Sequence, residues 1–194
     1  SGTKRSPRIE GTVEASPDHG LNIISQGEPV LAFERLNLGY AVTFNDQHPE
    51  LSIPQLSATG EGAEIRLLEP IVVTRESIAG AFEVSTDRLA QGEARLEKVT
   101  ANVRLGGNMA EPVLSAEAHS DSVFLSEQSV GKLDVNVRYA EHRASFTAKL
   151  QPARGEITAA AELDFRAPPS ADSISLIVKD LPYPPDSTPR SRTA

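Results

Sequence analysis

The chain has 194 residues, 39% hydrophobic and 24% charged, an ordinary balance for a folded protein and long enough for one large or two small domains. It holds no cysteine and carries a net charge of −8. That excludes disulfides and cysteine-held zinc or iron–sulfur sites, and it disfavours a nucleic-acid surface, which needs clustered Lys and Arg.

No run of about 18 apolar residues offers a membrane-spanning helix, and Ser1 to Arg8 lack the apolar core of a signal peptide. Ser1 in place of an initiator Met suggests a piece of a longer chain. Lys4, Arg5 and Arg8 lie at one end and Arg190 and Arg192 at the other, so the segment between is more acidic than the whole and presents a solvated outer surface.

Residues 1–8 are expected to be disordered or a linker. Ile9, Gly11, Val13 and Ala15 then alternate with Glu10, Thr12 and Glu14, and Pro17-Asp18-His19-Gly20 has the composition of a turn before Leu21 and Ile23. This predicts an opening hairpin. Leu38, Tyr40, Val42 and Phe44 form the next stripe, closed by Asn45-Asp46-Gln47-His48-Pro49, after which Leu51 and Ile53 resume and Pro54 signals an edge or a bulge. The pattern continues with less contrast through Ile65, Leu67, Ile71, Val73, Ile78, Phe82 and Val84. From Thr86 to Gly92, Leu89 and Ala90 break the alternation, and a helical turn is expected there.

The contrast then sharpens. Val99, Ala101, Val103 and Leu105 alternate with Thr100, Asn102 and Arg104 before Gly106-Gly107-Asn108, a strand of about seven residues. Leu114, Ala116 and Ala118 follow, then Leu133, Val135, Val137 and Tyr139, then Ala144, Phe146, Ala148 and Leu150, then Ile157, Ala159, Ala161, Leu163 and Phe165, each run with polar residues between. Ile174, Leu176 and Val178 make a last strand. Residues 182–194 hold four prolines and no apolar periodicity, and a disordered tail is expected. Residues 9–181 therefore form one repeat-built unit of about twelve to fifteen strands, with no amphipathic helix to cover the sheet.

Short connections favour an antiparallel meander. Its inward residues are Ala, Val, Leu and Ile, with six Phe, three Tyr and no Trp in the chain. That composition leaves room for an elongated, folded-over groove (a β-taco), and also suits a closed β-sandwich.

The segment Gly107-Asn108-Met109-Ala110-Glu111-Pro112-Val113-Leu114-Ser115-Ala116-Glu117-Ala118, with Gly131 to Tyr139, Gly155 to Leu163 and the upstream Leu51 to Gly62, resembles the TamB family of translocation and assembly module proteins, and more loosely the AsmA-like β-groove lipid-transfer proteins. The similarity covers most of Tyr40 to Phe165; the first 35 residues and the tail match less well. The resemblance implies a segment of a long periplasmic protein, anchored to the inner membrane through a part absent from this sequence. It implies non-enzymatic transport of phospholipid between the inner and outer membranes and a role in outer-membrane biogenesis. The implied partners are phospholipid acyl chains, an Omp85-type outer-membrane protein and neighbouring repeats of the same longer chain, with no cofactor. The residues expected to line the lipid groove are Val99, Val103, Leu133, Val135, Val137, Phe146, Leu150, Ile157, Leu163 and Phe165.

Signs of other chemistry are sparse. His19, His48, His119 and His142 lack the spacing of a metal motif and are expected to be solvated. Ser129-Val130-Gly131-Lys132 spells an acyl-enzyme motif, but Gly131 before a strand points to a hairpin turn; Gly60-Glu61-Gly62 lacks the third glycine of a dinucleotide loop and is also expected to be a turn. Carboxylate pairs such as Glu61 with Glu64, or Glu162 with Asp164, are expected to be solvated strand residues, so no enzyme is predicted. An alternative function is an adhesin-like β-sandwich that binds protein or glycan through Asn45 to Pro49 or Ala140 to Arg143. A β-solenoid enzyme would need stacked asparagine or aromatic ladders, which the sequence lacks.

Overall fold

The computed structural model describes residues 7–16, 21–25, 28–45, 48–166 and 169–180. The turn at residues 17–20, most of the leading segment and the proline-rich tail lie outside them. The strands are β1 (Arg8–Ala15), β2 (Leu21–Ser25), β3 (Glu28–Phe33), β4 (Arg35–Asn45), β5 (His48–Gly60), β6 (Ala63–Val73) and β7 (Ile78–Gln91). They continue with β8 (Ala94–Gly107), β9 (Pro112–Leu125), β10 (Gln128–Ala140), β11 (Arg143–Gln151), β12 (Glu156–Asp164) and β13 (Ser170–Lys179).

The protein is all-β. Eleven strands form one antiparallel sheet in the order β1-β4-β5-β6-β7-β8-β9-β10-β11-β12-β13, and β2 and β3 form a separate hairpin. From β4 onward this is a meander. Among the described residues the sheet stays open and is not closed into a barrel.

Opposed residues in an antiparallel pair share a face, so the register traces rows across the sheet. One row takes a residue from every strand: Ala15, Leu36, Ala58, Ile65, Val84, Ala101, Ala118, Val135, Ala148, Ala159 and Leu176. All are apolar. The adjacent row on the other face reads Glu14, Asn37, Ser57, Arg66, Glu83, Asn102, Glu117, Asn136, Thr147, Ala160 and Ser175, with Arg66 paired to Glu83 at 2.9 Å. Strict alternation in each strand thus becomes two faces of opposite character.

The opening hairpin does not form as expected. β1 pairs with β4 over eight residues, from Arg8↔Thr43 to Ala15↔Leu36, while β2 pairs with β3. β4 offers β1 a full-length partner that matches Val13 to Leu38 and Ala15 to Leu36; the five-residue β2 does not. Pro54 lies in β5, between the Ile53 and Ser57 pairs where the register with β6 shifts. A bulge, not an edge, accommodates it. At the β4–β5 shift between Gly39 and Ala41, Ala41 becomes the buried residue while Phe44 is exposed.

Residues 86–91 are strand, not a helical turn, since β7 runs to Gln91. Leu89 loses the alternation because three residues, an odd step, separate it from Thr86. The same odd step separates Leu96 from Val99, Ser120 from Val123 and Val130 from Leu133. The interruptions are aligned: pairing passes from Thr86↔Val99 to Arg88↔Glu97 and from Val99↔Ser120 to Glu97↔Ser122, and the β9–β10 register shifts on either side of Gly131. Gly131, at φ 129° and at a register shift, is the extra residue of a β-bulge, whereas Lys98, at φ 50°, is passed over with the register unbroken on both sides. Gly131 is therefore a bulge inside β10. The hairpin turn is Ser126-Glu127, both at positive φ.

Two buried hydroxyls stitch this line of breaks. Thr86 Oγ1 donates to the Arg88 carbonyl at 3.0 Å, and Ser120 Oγ lies 2.9 Å from the Glu97 carbonyl and 3.1 Å from that of Ser122. Ser120→Ala leaves those carbonyls without that donor in a site closed to water, and we expect a loss of about 1–2 kcal/mol. Urea unfolding that shows an unchanged midpoint would remove the hydroxyl from this role.

Candidate functional site

The ten residues expected to line a groove fall on one face. Val99, Leu133, Leu150 and Ile157 belong to the row Gly60, Ala63, Thr86, Val99, Ser120, Leu133, Leu150, Ile157, Val178. Val135 lies in the all-apolar row beside it. Val103, Val137 and Phe146 share the next, which reads Leu67, Phe82, Val103, Ala116, Val137, Phe146, Ala161, Ile174. Leu163 stands with Leu105, Leu114, Tyr139 and Ala144 in a fourth row, and Phe165 meets the Tyr139 ring edge-on at 6.1 Å beyond the end of β12.

Side-chain size varies between these rows in a regular way. Across β8–β12 the middle row holds Ala101, Ala118, Val135, Ala148 and Ala159, flanked by Val99, Ser120, Leu133, Leu150 and Ile157 on one side and by Val103, Ala116, Val137, Phe146 and Ala161 on the other, so larger side chains stand on both sides of the row at β8, β10 and β11 but not at β9. Small side chains between larger ones make a shallow apolar trough that runs across the strands. With neighbouring strands about 4.8 Å apart, five strands give it a length of about 19 Å.

Burial shows what covers this face. Ala58 and Ala63 are 2% and 7% exposed because Phe33, at the end of β3, packs on them with Leu31, Leu36 and Ile65 beside it. The β2–β3 hairpin lies against β5, β6 and β7. It comes so close that a Cβ on Gly60 would collide with the Ala32 carbonyl, and Glu34 N donates to Thr59 O at 2.8 Å. Along β8–β13, by contrast, Val123 is the one described apolar side chain shut off from solvent. Phe146, Leu163, Phe165, Ile174 and Leu176 are exposed. The floor is lidded at one corner; over β8–β12 most of its side chains are half-buried among their neighbours, and toward β13 they are exposed.

The residues that the sequence did not single out are Leu36, Ala58, Ile65, Phe82 and Val84 on the hairpin side and Ile174, Leu176 and Val178 on β13. Their own alternation was the available signal. The β6–β7 register shifts at Leu67/Glu69 and Glu69/Val72 obscured it on the hairpin side.

The polar face carries the titratable clusters. His119 Nδ1 lies 2.7 Å from Asp134 and Nε2 3.2 Å from Asp121, so the ring is held by two carboxylates rather than merely solvated. Hydrogen bonds to Asp134 first, and then to Asp121, raise its pKa above the ordinary 6.5. Asp164 is not a solvated strand carboxylate either. It is buried, accepts from Arg166 N and Nε at 2.9 Å each, and lies 3.7 Å from Arg143. The Arg166 bonds hold its pKa far below the usual carboxylate range. Among the described residues no three His, Asp or Glu are placed to hold a metal ion, and no helix is long and apolar enough to cross a membrane.

Other concavities mix polar and apolar side chains and touch the edges of this face at Val99 and Leu163. One, at the aligned breaks, is lined by Glu64, Thr86, Asp87 and Lys98; another lies beside the β10–β11 turn between Arg138, Arg143, Glu162 and Asp172. Comparison with protein-family models, curated proteins and solved structures finds no match to this chain. The apolar face, by area and continuity, is the candidate site.

A raised folded-state pKa for His119 means that its contribution to stability is complete below the unfolded value near 6.5 and is lost as pH rises through the folded value. We expect the urea midpoint to fall by a small amount between about pH 6 and 8, and His119→Gln to remove that part of the slope. Identical slopes in both proteins would place no proton linkage at this histidine.

Proposed function

We propose that the chain is a segment of a TamB-like periplasmic envelope protein, and that its apolar face is a floor along which phospholipid acyl chains lie and move between the inner and outer membranes. The observation that carries this reading is the apolar row drawn from all eleven strands, uncovered from β8 onward. A folded protein rarely leaves so large a contiguous apolar surface bare unless something binds there.

The energetics suit acyl chains. Half a palmitoyl chain, at about 0.8 kcal/mol per methylene removed from water, contributes about 6 kcal/mol before the losses of ordering. The trough rows across β8–β12 carry no charged side chain, and their one hydroxyl, on buried Ser120, is taken up by the Glu97 and Ser122 carbonyls, so nothing there fixes a headgroup. An alkyl chain therefore meets similar surroundings at each step across the strands and slides with low barriers. The function needs no catalysis and no cofactor. In the same reading an inner-membrane anchor, neighbouring repeats of a longer chain and an Omp85-type outer-membrane partner complete the route for outer-membrane biogenesis.

Val135→Glu or Ala148→Arg places a charge in the trough, at half-buried positions whose neighbours leave it room to reach water. We expect native mass spectrometry of protein purified from a bacterial envelope to show bound phospholipid in the parent chain. Either variant should lose at least nine-tenths of it, with the far-ultraviolet circular dichroism unchanged. Lipid-free parent protein, or variants that unfold, would overturn the open lipid floor. Binding that moves only with changes at Ala140 to Arg143 would favour recognition through the loops.

A further inference from the structure

We propose, on the lipid-floor reading above, that the seat of Phe33 is a hidden continuation of the floor, a further alkyl-chain site, and that the β2–β3 hairpin is the gate that closes it. The floor rows do not stop at the hairpin. Ala58 belongs to the row that holds Ala101, Ala118, Ala148 and Ala159 farther along, and those four are half-buried whereas Ala58 is 2% exposed. The difference is the ring of Phe33, which packs on Ala58 and Ala63. It takes the place on small side chains that an alkyl chain takes along the open trough.

The hairpin is built as a flap. Among the described residues β2 and β3 form their own two-stranded sheet and enter no ladder of the eleven-stranded one. The chain leaves that sheet after Ala15 and rejoins it at Arg35, and Ala15 is paired with Leu36, so both attachments stand side by side. At this hinge Glu34 forms a bend and its N–H donates to Thr59 O at 2.8 Å. Swinging about it lifts β3 from β5, β6 and β7 without disturbing the register of the main sheet. A two-stranded hairpin has little stability by itself, so its place depends on the apolar seat.

Gly60 shows that the closed position is specified. Gly62 beside it stands at φ 67° in the turn, but the φ of Gly60 lies outside the left-handed region, and a Cβ there would collide with the Ala32 carbonyl. Glycine is needed at 60 for the approach of β3, not for the conformation of β5. An acyl chain on the same alanines competes with Phe33 and favours the open flap by its preference for the uncovered floor. The coupling is reciprocal: the factor by which opening tightens lipid is the factor by which lipid promotes opening. Open, the trough gains three strands, about 14 Å at the strand spacing.

Hydrogen exchange read by mass spectrometry and titration calorimetry of the full chain, with palmitoyl lysophosphatidylglycerol below its micelle concentration as the probe, test the gate. Gly60→Ala pushes β3 off from the floor, and Phe33→Asp sets a carboxylate under the closed flap. Both should speed exchange over residues 28–33 at least fivefold, with β9 and β10 exchanging as in the parent chain, and both should bind the probe at least threefold more tightly. The probe should likewise speed exchange over residues 28–33 in the parent. Variants whose β3 is released but whose affinity is unchanged or weaker overturn the gate and leave the lipid floor standing. Exchange over residues 28–33 that rises in neither variant also overturns it, since the hairpin is then held by more than this seat. No probe binding in parent or variants overturns the floor and the gate together.

Discussion

Register is the constraint on which this structure depends. Side chains alternate between faces with a period of two, so a slip of one residue in any strand would turn its whole apolar set to the polar side. The pairing of Val135 with Ala118 and Ala148, and of Asn136 with Glu117 and Thr147, repeats across all eleven strands. Each inner strand is thus held in place by the two beside it. The same logic explains why the breaks in alternation of β7, β8 and β9 fall opposite one another without a register shift, beside the β10 bulge at Gly131. A break in one strand alone would separate the faces beyond it, whereas breaks at matching points return Leu89, Leu96 and Val123 together. Thr86 and Ser120, polar residues within an otherwise apolar row, stand where the backbone needs alternative hydrogen-bond partners.

An open sheet gains little from a buried core. Of the six buried apolar side chains among the described residues, four are alanines, so burial alone contributes modestly and the ladder with its cross-strand neighbours carries more of the stability than in a sandwich. The low relief that weakens the core also shapes the trough: alanines in the middle row leave space that bulkier residues would fill. Stability and the capacity to hold an apolar ligand thus draw on the same surface, and bound lipid would stabilise the sheet by covering it.

The two ends of the floor are unlike. Near β5 and β6 the β2–β3 hairpin folds back and Phe33 closes the corner, with Gly60 allowing the close approach of the backbone at Ala32. At the far end the floor rows end bare on β13. On the polar face, Asp164 is fixed by Arg166 and Arg143 at the end of β12, and His119 bridges β9 and β10 through Asp134. These charges brace the outer surface and leave the floor free of them.

The sequence by itself determined the strands from Val99 to Phe165, their antiparallel order and the face on which all ten groove candidates lie, because alternation and short turns are local signals. It also marked Pro54 as irregular. It misread Thr86 to Gly92, where an odd step in the alternation imitates the end of a strand, and it joined β1 to β2, because a nearby turn signal says nothing of a longer partner farther along the chain. Whether the apolar face would close on itself was not legible, since Ala, Val and Leu serve a packed core and an open floor equally well. Only the tertiary structure decided that. Closure depends on whether a second layer crosses β8–β13, a long-range outcome that a period of two along one strand does not encode.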